Sequence, residues 1–457
     1  MAVMGSLPHW LIILSLLWTL QAFVPFSERN SVGSSGTYWH VSDIHFDPQY
    51  FPGSNANDRC IEGSGKAGPW GDYQCDLPLK TLNRSMQSLV EIESGADFVI
   101  FTGDSVPHYL DYTSFEHYSQ DNVTSNVRIV ADAIDAAFPN TIVLPTLGNH
   151  DVYPSDQLKK PNDGGLDQLQ ILAEIYGRWL PADALETFKA GGYYSVLLRE
   201  NLRFVAFNTL YCDVLNVNAV VFMDEDIAGQ WAWLNATLAA AAANKEVVIL
   251  AGHRSIGPSD NTIAQHTVPT CDDRYLQLVY EYGGPNGPLQ GQIYGHEHTD
   301  SFRVFTNPHE GHQPWSMMFL APSITTFQNV NPSFRLTSYD TTAAGLITDY
   351  AAYSINLTRA NDEDEKEPVF ALTYRATQRY SLPNLSAPAY WNLLQQAKSD
   401  WKVFRLMWEA FYTFRYPATD ADMVCHRDCQ ANFWCAQAFP YFIDFDECFR
   451  AFTPIDH

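Results

Sequence analysis

Five short apolar segments of the chain each end directly in a cluster of polar side chains, and this repeated arrangement restricts the possible folds most strongly. The segments are Tyr38–Ile44, Phe98–Thr102, Thr141–Leu147, Val247–Ala251 and Gln290–Tyr294. Apolar runs of about four to seven residues are typical of strands buried on both faces of a sheet. Segments with helical character lie between them, at Leu77–Ile92, Ser125–Phe138, Leu166–Tyr176 and Ala228–Ala243. The alternation of strand and helix predicts an α/β fold with a mostly parallel sheet.

The polar clusters carry side chains that bind metal ions. They are Asp43-x-His45, Gly103-Asp104, Gly148-Asn149-His150-Asp151, Gly252-His253 and Gly295-His296-x-His298. Any one of them alone is more typical of a turn, because Asp, Asn and Gly favour turns. Ligands of parallel α/β sheets bind at the carboxyl ends of the strands, so we expect all five clusters to converge on one sheet edge.

Seven residues of these clusters are candidate metal ligands. They are Asp43, His45, Asp104, Asn149, His253, His296 and His298. Oxygen and imidazole donors without a thiolate suit zinc, manganese, iron or cobalt, and zinc is the expected metal in an exported protein. The set is large enough for two divalent ions that share one carboxylate. Two such ions about 3.5–4 Å apart clamp a phosphoryl oxygen and activate a water for in-line attack.

The charge of the chain excludes one class of partner. Its 52 acidic and 27 basic side chains give a formal net charge of −25. A surface this acidic repels phosphate backbones, so binding to a nucleic-acid polymer is not expected. The sequence leaves the oligomeric state open.

The N-terminal residues predict export. Trp10–Val24 is one apolar run, shorter than the roughly 20 residues that span a bilayer but typical of a signal-peptide core. With a small-residue cleavage site at Leu20-Gln21-Ala22, we expect a signal peptide at 1–22 and a linker at 23–36. The protein is then secreted or lysosomal.

Cysteines and sequons agree with export. Eight cysteines allow 105 complete pairings. Local pairing would join Cys60–Cys75, Cys425–Cys429 and Cys435–Cys448, and would leave Cys212 with Cys271. The alternative for the last four cysteines is a zinc site, although C-x3-C-x5-C-x12-C matches no common zinc spacing. Five sequons are candidate glycosylation sites, at Asn83, Asn122, Asn235, Asn356 and Asn384.

The pattern of predicted strands and helices changes in the C-terminal part of the sequence. Met317–Ala321, Ala344–Leu357 and Val369–Tyr380 are expected to be further strands, and Tyr390–Tyr416 a long aromatic helical stretch. We expect a helical subdomain with disulfides at 385–457. Its aromatic stripe of Trp401, Phe404, Trp408 and Phe411 has helical spacing. Such a stripe usually packs against the rest of the protein, and the alternative is contact with a lipid surface.

These motifs resemble the calcineurin-like binuclear metallophosphoesterases, and within them the acid sphingomyelinase branch. The resemblance extends from about Trp39 to Cys448. Three features carry the resemblance to the branch: Gly103-Asp104-Ser105-Val106-Pro107-His108, Phe319-Leu320-Ala321-Pro322-Ser323 followed by Asn331-Pro332, and the spacing of the last four cysteines. The Cys212/Cys271 pair also matches the sphingomyelinase pattern. The resemblance implies a β-sandwich of mixed sheets flanked by helices, which we expect at 37–384.

The resemblance also implies roles for the site residues. One metal would be held by Asp43, His45 and His298, the other by Asn149, His253 and His296, with Asp104 bridging them. His150 would protonate the leaving oxygen, and Asp151 would orient His150. His108 would hold the phosphate or assist proton transfer. The activity implied is hydrolysis of sphingomyelin to ceramide and phosphocholine.

Two departures from the branch bear on the substrate. Arg254 stands in His253-Arg254-Ser255-Ile256-Gly257, where the branch has HxPxG, and we expect it to face solvent, with contact to substrate phosphate as the alternative. Because the linker is short, we expect no N-terminal saposin-like domain of the kind that true acid sphingomyelinases carry. Relatives without that domain favour soluble phosphodiesters or nucleotides, so these substrates are the alternative to sphingomyelin. An acid phosphomonoesterase and a secreted, non-catalytic metal-binding protein are less favoured readings.

Overall fold

The computed structural model describes residues 34–108, 119–343, 346–362, 367–415 and 425–455. The expected signal peptide at 1–22 and most of the linker at 23–36 lie outside these residues. Within them, every helix is too short or too polar to span a bilayer.

Twelve strands of the described residues form two six-stranded sheets. The strands are β1 Ser35–Val41, β2 Phe98–Phe101, β3 Ile142–Pro145, β4 Tyr194–Arg199, β5 Leu202–Ala206, β6 Val247–Ala251, β7 Leu289–Tyr294, β8 Ser301–Asn307, β9 Gln313–Leu320, β10 Ser333–Asp340, β11 Ile347–Ser354 and β12 Ala371–Arg375. The strand order is β12-β11-β10-β1-β2-β3 in the first sheet and β4-β5-β6-β7-β9-β8 in the second.

Both sheets are mixed, so the expectation of a mostly parallel sheet is wrong, whereas the sandwich of mixed sheets is confirmed. Parallel pairing is confined to β1-β2-β3 and to β5-β6-β7-β9. Strands β4-β5, β8-β9 and β10-β11 are antiparallel pairs whose members follow each other through short connections. A short connection permits only antiparallel pairing, because a parallel crossover needs a dozen or more residues.

Helices connect the parallel strands and cover the sheets. Those of the described residues are α1 Leu79–Ile92, α2 Gln120–Ala137, α3 Gly165–Tyr176, α4 Ala182–Gly191, α5 Val217–Val221, α6 Gln230–Asn244, α7 Pro269–Tyr282, α8 Leu357–Asp362, α9 Ala376–Arg379, α10 Ala387–Ala397, α11 Trp401–Phe411, α12 Arg427–Ala438 and α13 Phe442–Ala451. The four helices that the sequence predicted correspond to α1, α2, α3 and α6. The predicted strand Val369–Tyr380 ends after Arg375, where α9 begins.

The expected long helix at Tyr390–Tyr416 is two helices in the structure. The break lies between α10 and α11, where the side chain of Asp400 accepts a hydrogen bond from the backbone N–H of Lys402 at 2.8 Å. An aspartate that caps a new helix in this way ends the preceding one. Residues after Arg415, up to 424, lie outside the described part of the chain.

The two sheets pack face to face, and the C-terminal helices cover the second. The Tyr194 hydroxyl on β4 donates a hydrogen bond to the Pro145 carbonyl on β3 at 2.8 Å, and Phe319 on β9 packs edge-on against Tyr350 on β11. Tyr390 on α10 packs against Phe302 on β8 and against Phe319. The boundary at 384–385 stays a prediction, since these helices pack directly on the sheet.

The aromatic stripe of α11 packs within the protein. Phe404 and Phe411 are fully buried, and both rings lie edge-on to Phe433 of α12. Trp408 also packs edge-on against Phe433, at a ring-centroid distance of 5.2 Å. The packing expected for this stripe is therefore observed, and the stripe is not a free lipid-binding face.

The structure joins the cysteines in four disulfides. They are Cys60–Cys75, Cys212–Cys271, Cys425–Cys429 and Cys435–Cys448, the pairs expected from local spacing. The alternative of a zinc site at the last four cysteines is thereby excluded. The five sequon asparagines, Asn83, Asn122, Asn235, Asn356 and Asn384, are all exposed, as a glycan requires.

Candidate metal centre

The seven candidate ligands follow strand ends of both sheets. The first sheet supplies Asp43 and His45 after β1, Asp104 after β2 and Asn149 after β3. The second sheet supplies His253 after β6, and His296 and His298 after β7. The side chains converge where the strand ends of the two sheets meet, which corrects the expectation of a single sheet edge.

The backbone at these positions is strained. Asp43, His45, Asp104, His296 and His298 have φ angles between 42° and 72°, in the left-handed region. Residues other than glycine rarely adopt this conformation, and each instance costs about 1–3 kcal/mol. Strain of this kind gathers at functional sites, where the surrounding structure holds the backbone in place.

Glycines allow the ligand loops to approach each other. A Cβ atom on Gly148 would lie 2.0 Å from Oδ1 of Asp104, and one on Gly295 would lie 2.7 Å from Oδ2 of Asp43. No side chain fits at either position, so the glycine before Asn149 and the glycine before His296 are needed to bring neighbouring loops into contact.

The first group of donor atoms surrounds His45. Its Nε2 lies 3.2 Å from Nε2 of His298 and 3.4 Å from Oδ2 of Asp104. Oδ1 of Asp43 lies 3.8 Å from Nε2 of His45 and 3.7 Å from Nε2 of His298. The donor atoms of Asp43, Asp104 and His298 thus all lie within 3.8 Å of Nε2 of His45.

The second group surrounds His253. Its Nε2 lies 2.9 Å from Oδ1 of Asn149 and 3.0 Å from Oδ2 of Asp104. Nδ1 of His296 lies 3.0 Å from Oδ1 of Asn149 and 3.3 Å from Nε2 of His253. Oδ2 of Asp104 therefore faces both groups, as a carboxylate that bridges two cations must.

The distances between imidazole nitrogens fit metal coordination. Zinc–nitrogen bonds of about 2.0–2.1 Å at tetrahedral angles place two nitrogens about 3.3 Å apart. The observed separations are 3.2 Å between His45 and His298 and 3.3 Å between His253 and His296. The donor set and its geometry therefore fit two divalent cations.

Backbone carbonyls hold the rings in the orientation that coordination requires. Nδ1 of His45 donates to the carbonyl of Val106 at 2.7 Å, and Nδ1 of His253 donates to that of Thr102 at 2.6 Å. A proton on Nδ1 leaves the lone pair of Nε2 directed into the site. The carbonyls thus fix both the tautomer and the ring plane.

The charges at the centre attract a cation. Burial alone would raise the pKa of Asp104, but the imidazole of His253 and its neighbours hold that pKa well below its usual range. Burial lowers the pKa of His253, but the Asp104 and Asp43 carboxylates raise it to about 9. Burial also opposes ionisation of Asp43, but His45 and the neighbouring imidazoles lower the pKa of that carboxyl. Positive charge placed between the two buried carboxylates therefore stabilises both.

His108 lies over the first group of donor atoms. Its ring stacks on that of His45 at a centroid distance of 3.9 Å and lies 4.7 Å from the ring of His150. Asp76 binds His108 twice, through Nδ1 and through the backbone N–H, each at 2.8 Å. Asp76 was not predicted as a site residue, because it follows Cys75 in a loop without a recognisable motif.

His150 lines the same cavity, and its backbone N–H donates to Oδ1 of Asp104 at 2.9 Å. The Asp151 carboxylate accepts backbone N–H groups from Asp104 at 3.0 Å, Ser105 at 2.7 Å and Gly148 at 3.1 Å. Asp151 thus fastens the Asp104 loop to the Asn149 loop. The orientation of the His150 ring by Asp151 stays a prediction.

Arg254 is buried, so the expectation that it faces solvent is wrong. Its side chain is 4% exposed and lines the cavity beside the second group of donor atoms. Nε lies 3.0 Å from Asp213, and Nη2 lies 3.5 Å from Asp156. The two carboxylates make burial of the guanidinium possible, because an unpaired buried charge would be strongly destabilising.

The cavity above the centre has a volume of about 270 Å³. Its further lining residues include His108, His150, Arg254, His266, Leu215 and Gln328. Nδ1 of His266 lies 2.9 Å from Oε1 of Glu297, the residue between His296 and His298. His266 and Glu297 were also missed, because one lies in an irregular loop and the other at the variable position of the GHxH motif.

Comparison with protein families agrees with this geometry. Residues 36–300 match the model of the calcineurin-like phosphoesterases, and residues 313–453 match that of the acid sphingomyelin phosphodiesterase C-terminal region. The chain belongs to the calcineurin-like phosphoesterase family. The second match places it in the acid sphingomyelinase-like branch, which is a branch of hydrolases. The family fold implies a binuclear metal centre, and the seven converging side chains are its candidate ligands.

Individual relatives match along most of the chain. Sphingomyelin phosphodiesterase A of Dictyostelium discoideum is 33% identical over 91% of this chain and 68% of its own length. The cyclic GMP-AMP phosphodiesterase SMPDL3A of Homo sapiens is 31% identical over 90% of this chain and 89% of its own. Among solved structures, a dimetal phosphatase from Danio rerio is 12% identical over 69% of this chain and 95% of its own, with a TM-score of 0.43.

Proposed function

We propose that the protein is a secreted or lysosomal phosphodiesterase that uses two zinc ions. The observation that carries this proposal is the convergence of two donor groups on the shared carboxylate of Asp104. Structural zinc sites are closed by four protein ligands, whereas these groups border a cavity that contains further imidazoles. This difference favours catalysis over a purely structural metal site.

The ligands would divide into two sets. Asp43, His45 and His298 would hold one ion, and Asn149, His253 and His296 the other. When bound, the ions would supply positive charge to the phosphoryl oxygens and lower the pKa of a water molecule for in-line attack. The zinc assignment rests on the mixed nitrogen and oxygen donors and on the absence of thiolate among them.

Proton transfer to the leaving oxygen falls to the imidazoles that are not ligands. His150 lines the cavity and is our candidate for the general acid. His108 lies beside it, with Nδ1 fixed by Asp76, so that the other ring nitrogen remains for substrate. An imidazole that is protonated in an acidic compartment can donate its proton to the leaving oxygen.

Relatives support two substrate classes. The name of sphingomyelin phosphodiesterase A supports sphingomyelin, and that of SMPDL3A supports a soluble cyclic dinucleotide. Sphingomyelin is our leading substrate, cleaved to ceramide and phosphocholine. The small soluble phosphodiester is the second candidate, because the relative that bears that name matches this chain along 89% of its own length.

Disulfides and exposed sequons support export. Four disulfides form and persist in oxidising compartments rather than in the cytosol. The shift in electrophoretic mobility after glycosidase treatment of the expressed protein would test glycosylation at the five sequons.

The test of the proposed function compares substrates at about pH 5 with zinc present. Rates are measured for detergent-dispersed sphingomyelin, a cyclic dinucleotide, a chromogenic phosphodiester and the matching monoester, with Asp104→Asn as the blank. Turnover of diesters but not of the monoester supports a phosphodiesterase, and the ratio of lipid to dinucleotide decides the substrate class. A metal-loaded protein that turns over none of these would be a metal-binding protein without catalysis.

A further inference from the structure

A band of exposed apolar side chains borders the entrance of the catalytic cavity. We call it the apolar rim, and it consists of Leu215, Val217, Val220, Val221, Met223 and Ile263. These side chains are between 40% and 63% exposed. Soluble proteins expose single apolar side chains commonly, but a contiguous group marks a contact surface.

The short helix α5 presents its apolar side to solvent. Val217, Val220 and Val221 stand at positions i, i+3 and i+4, which share one face of a helix. Ala219, on another face, is fully buried. Helices on protein surfaces normally bury their apolar stripe against the core. The exposed stripe of α5 therefore indicates that an apolar surface from outside the protein covers it.

Polar anchors hold α5 in this orientation. The side chain of Asn216 caps the helix and donates to the carbonyls of Leu158 at 3.0 Å and Leu210 at 2.8 Å. On the other side of α5, Lys160 lies over the ring of Phe222 and pairs with Glu225 at 3.0 Å. The valines therefore stay exposed because the polar groups of the segment are bound to the protein.

The loop that carries Ile263 lies beside this helix. Val214 donates its backbone N–H to the carbonyl of His266 at 3.1 Å, and Val268 donates to that of Cys212 at 2.8 Å. The Cys212–Cys271 disulfide closes the same pair of segments. Because the segments are antiparallel, the residues that follow Val214 lie opposite those that precede His266.

Both segments also line the cavity. Leu215 contributes from the first segment, and Asn261, Thr262 and His266 contribute from the second. Leu215 thus belongs to the rim and to the cavity wall at once. Anything that covers the rim is brought directly to the entrance of the metal centre.

The charges beside the apolar rim indicate which kind of membrane surface it fits. Residues 213–226 and 256–270 contain no lysine or arginine, and Asp224, Glu225 and Asp226 next to α5 are exposed. Lys160 pairs with Glu225, and Arg274 binds the backbone carbonyls of Asp224 and Glu225, so three carboxylates face two cations at this border. Carboxylates repel anionic lipids and attract the ammonium groups that form the outer layer of choline phospholipids. A zwitterionic choline surface therefore complements both the apolar stripe and its acidic border.

We propose that the apolar rim inserts into the interfacial layer of a membrane rich in choline phospholipids and so presents the cavity to lipid headgroups. This inference rests on the proposed function, since a sphingomyelinase must bring a membrane lipid to its cavity. Short apolar segments bind at the interface in proportion to the apolar area that they bury there. Because the aromatic stripe of α11 packs within the protein, we assign membrane contact to the apolar rim.

The test uses the full secreted protein and the triple variant Val217→Ser/Val221→Ser/Ile263→Ser. The matched control is Val369→Ser/Leu372→Ser, which removes exposed apolar side chains outside the rim. Co-sedimentation is measured with vesicles of phosphatidylcholine and sphingomyelin, and with vesicles in which phosphatidylserine replaces half of the choline lipid. We expect the triple variant to bind choline vesicles about tenfold more weakly, the control to bind normally, and phosphatidylserine to weaken binding.

Turnover separates failure of this inference from failure of the proposed function. For the triple variant, the ratio of sphingomyelin to chromogenic diester turnover should fall about tenfold, whereas the control keeps the parent ratio. Unchanged vesicle binding by the triple variant, or tighter binding to phosphatidylserine, would overturn the inference. A dimer in light scattering that the triple variant dissociates would assign the rim to a second copy instead. Normal vesicle binding without turnover of any diester would refute the proposed function alone.

Discussion

Asp76 holds His108 at two points, accepting a hydrogen bond from the ring Nδ1 and another from the backbone N–H, each at 2.8 Å. Burial alone would raise the pKa of Asp76, but His108 beside it lowers that pKa to about 2, so the carboxylate is ionised at any working pH. It is a positioning residue that sets the tautomer of a ring stacked on the expected ligand His45.

We expect Asp76→Asn to retain metal and to lower kcat about 10- to 100-fold, because the His108 ring loses its charged partner. Burial lowers the pKa of His108 and Asp76 opposes this effect, so the pKa of His108 falls further in the variant. If His108 acts as a protonated group, the alkaline limb of the pH–rate profile moves to lower pH. The exposed Asp163→Asn is the control, and a purely structural role for Asp76 would leave the position of the limb unchanged.

Replacing His150 tests the general acid. His150→Ala should keep both metal equivalents and reduce turnover about 10²- to 10⁴-fold. The loss should be smaller for a diester with a good leaving group, such as p-nitrophenol, since that group leaves without a proton. An equal loss for all leaving groups would show that another residue donates the proton. His309→Ala, at an exposed turn, controls for loss of an imidazole elsewhere.

Asp104→Asn should remove metal as well as activity. An amide oxygen carries no charge and bridges two cations poorly, so we expect fewer than two bound equivalents by elemental analysis. Turnover should fall at least ~10³-fold, because the two ions act as a unit. Two retained equivalents with full activity would contradict the bridging role. Asp121→Asn, on the exposed first turn of α2, is the control.

Asp272 makes stability depend on pH. Burial raises its pKa to about 7 in the folded protein, against about 3.9 when unfolded. The folded state therefore holds a proton that the unfolded state has released, and this stabilisation is lost progressively as the pH rises from about 3.9 to about 7. The protein should have a higher Tm at pH 5 than at pH 8, which suits an acidic compartment.

In Asp272→Asn the Tm difference between pH 5 and pH 8 should shrink by about 2–5 °C, since asparagine does not ionise. Asp273→Asn, exposed on the next position of α7, is the matched control. If Asp272→Asn kept the Tm difference of the parent protein, the pH dependence of stability would belong to other buried groups. Asp260 is one such group, because burial also raises its pKa to about 7.

The convergence of the candidate ligands could be predicted from the sequence because each lies directly after an apolar strand, where local pattern determines position. Asp43, Asp104 and His253 could be found in this way. The pairing of strands was less accessible, since the apolar pattern of β1 or β5, each of which has one parallel and one antiparallel partner, does not distinguish the two. Connection length would have helped, because hairpin-length connections separate β8 from β9 and β10 from β11.

Residues that act through the fold were missed. Asp76 reaches His108 across 32 residues, and Glu297 reaches His266 across 31, so neither pair has a local signature. Arg254 was expected in solvent because a lone arginine usually lies there. Its carboxylate partners Asp213 and Asp156 are distant in sequence, and only the folded chain places them around the guanidinium.

Each expected metal takes ligands from both sheets: His298 joins Asp43 and His45, and Asn149 joins His253 and His296. The order of synthesis then determines when the site can exist. A nascent chain that ends before β7 holds no complete ligand set, and a cut that separates the sheets leaves neither half with one. Hydrolytic activity would therefore require both sheets. Chains that end before β7, or that are divided between the sheets, would be inactive rather than partly active.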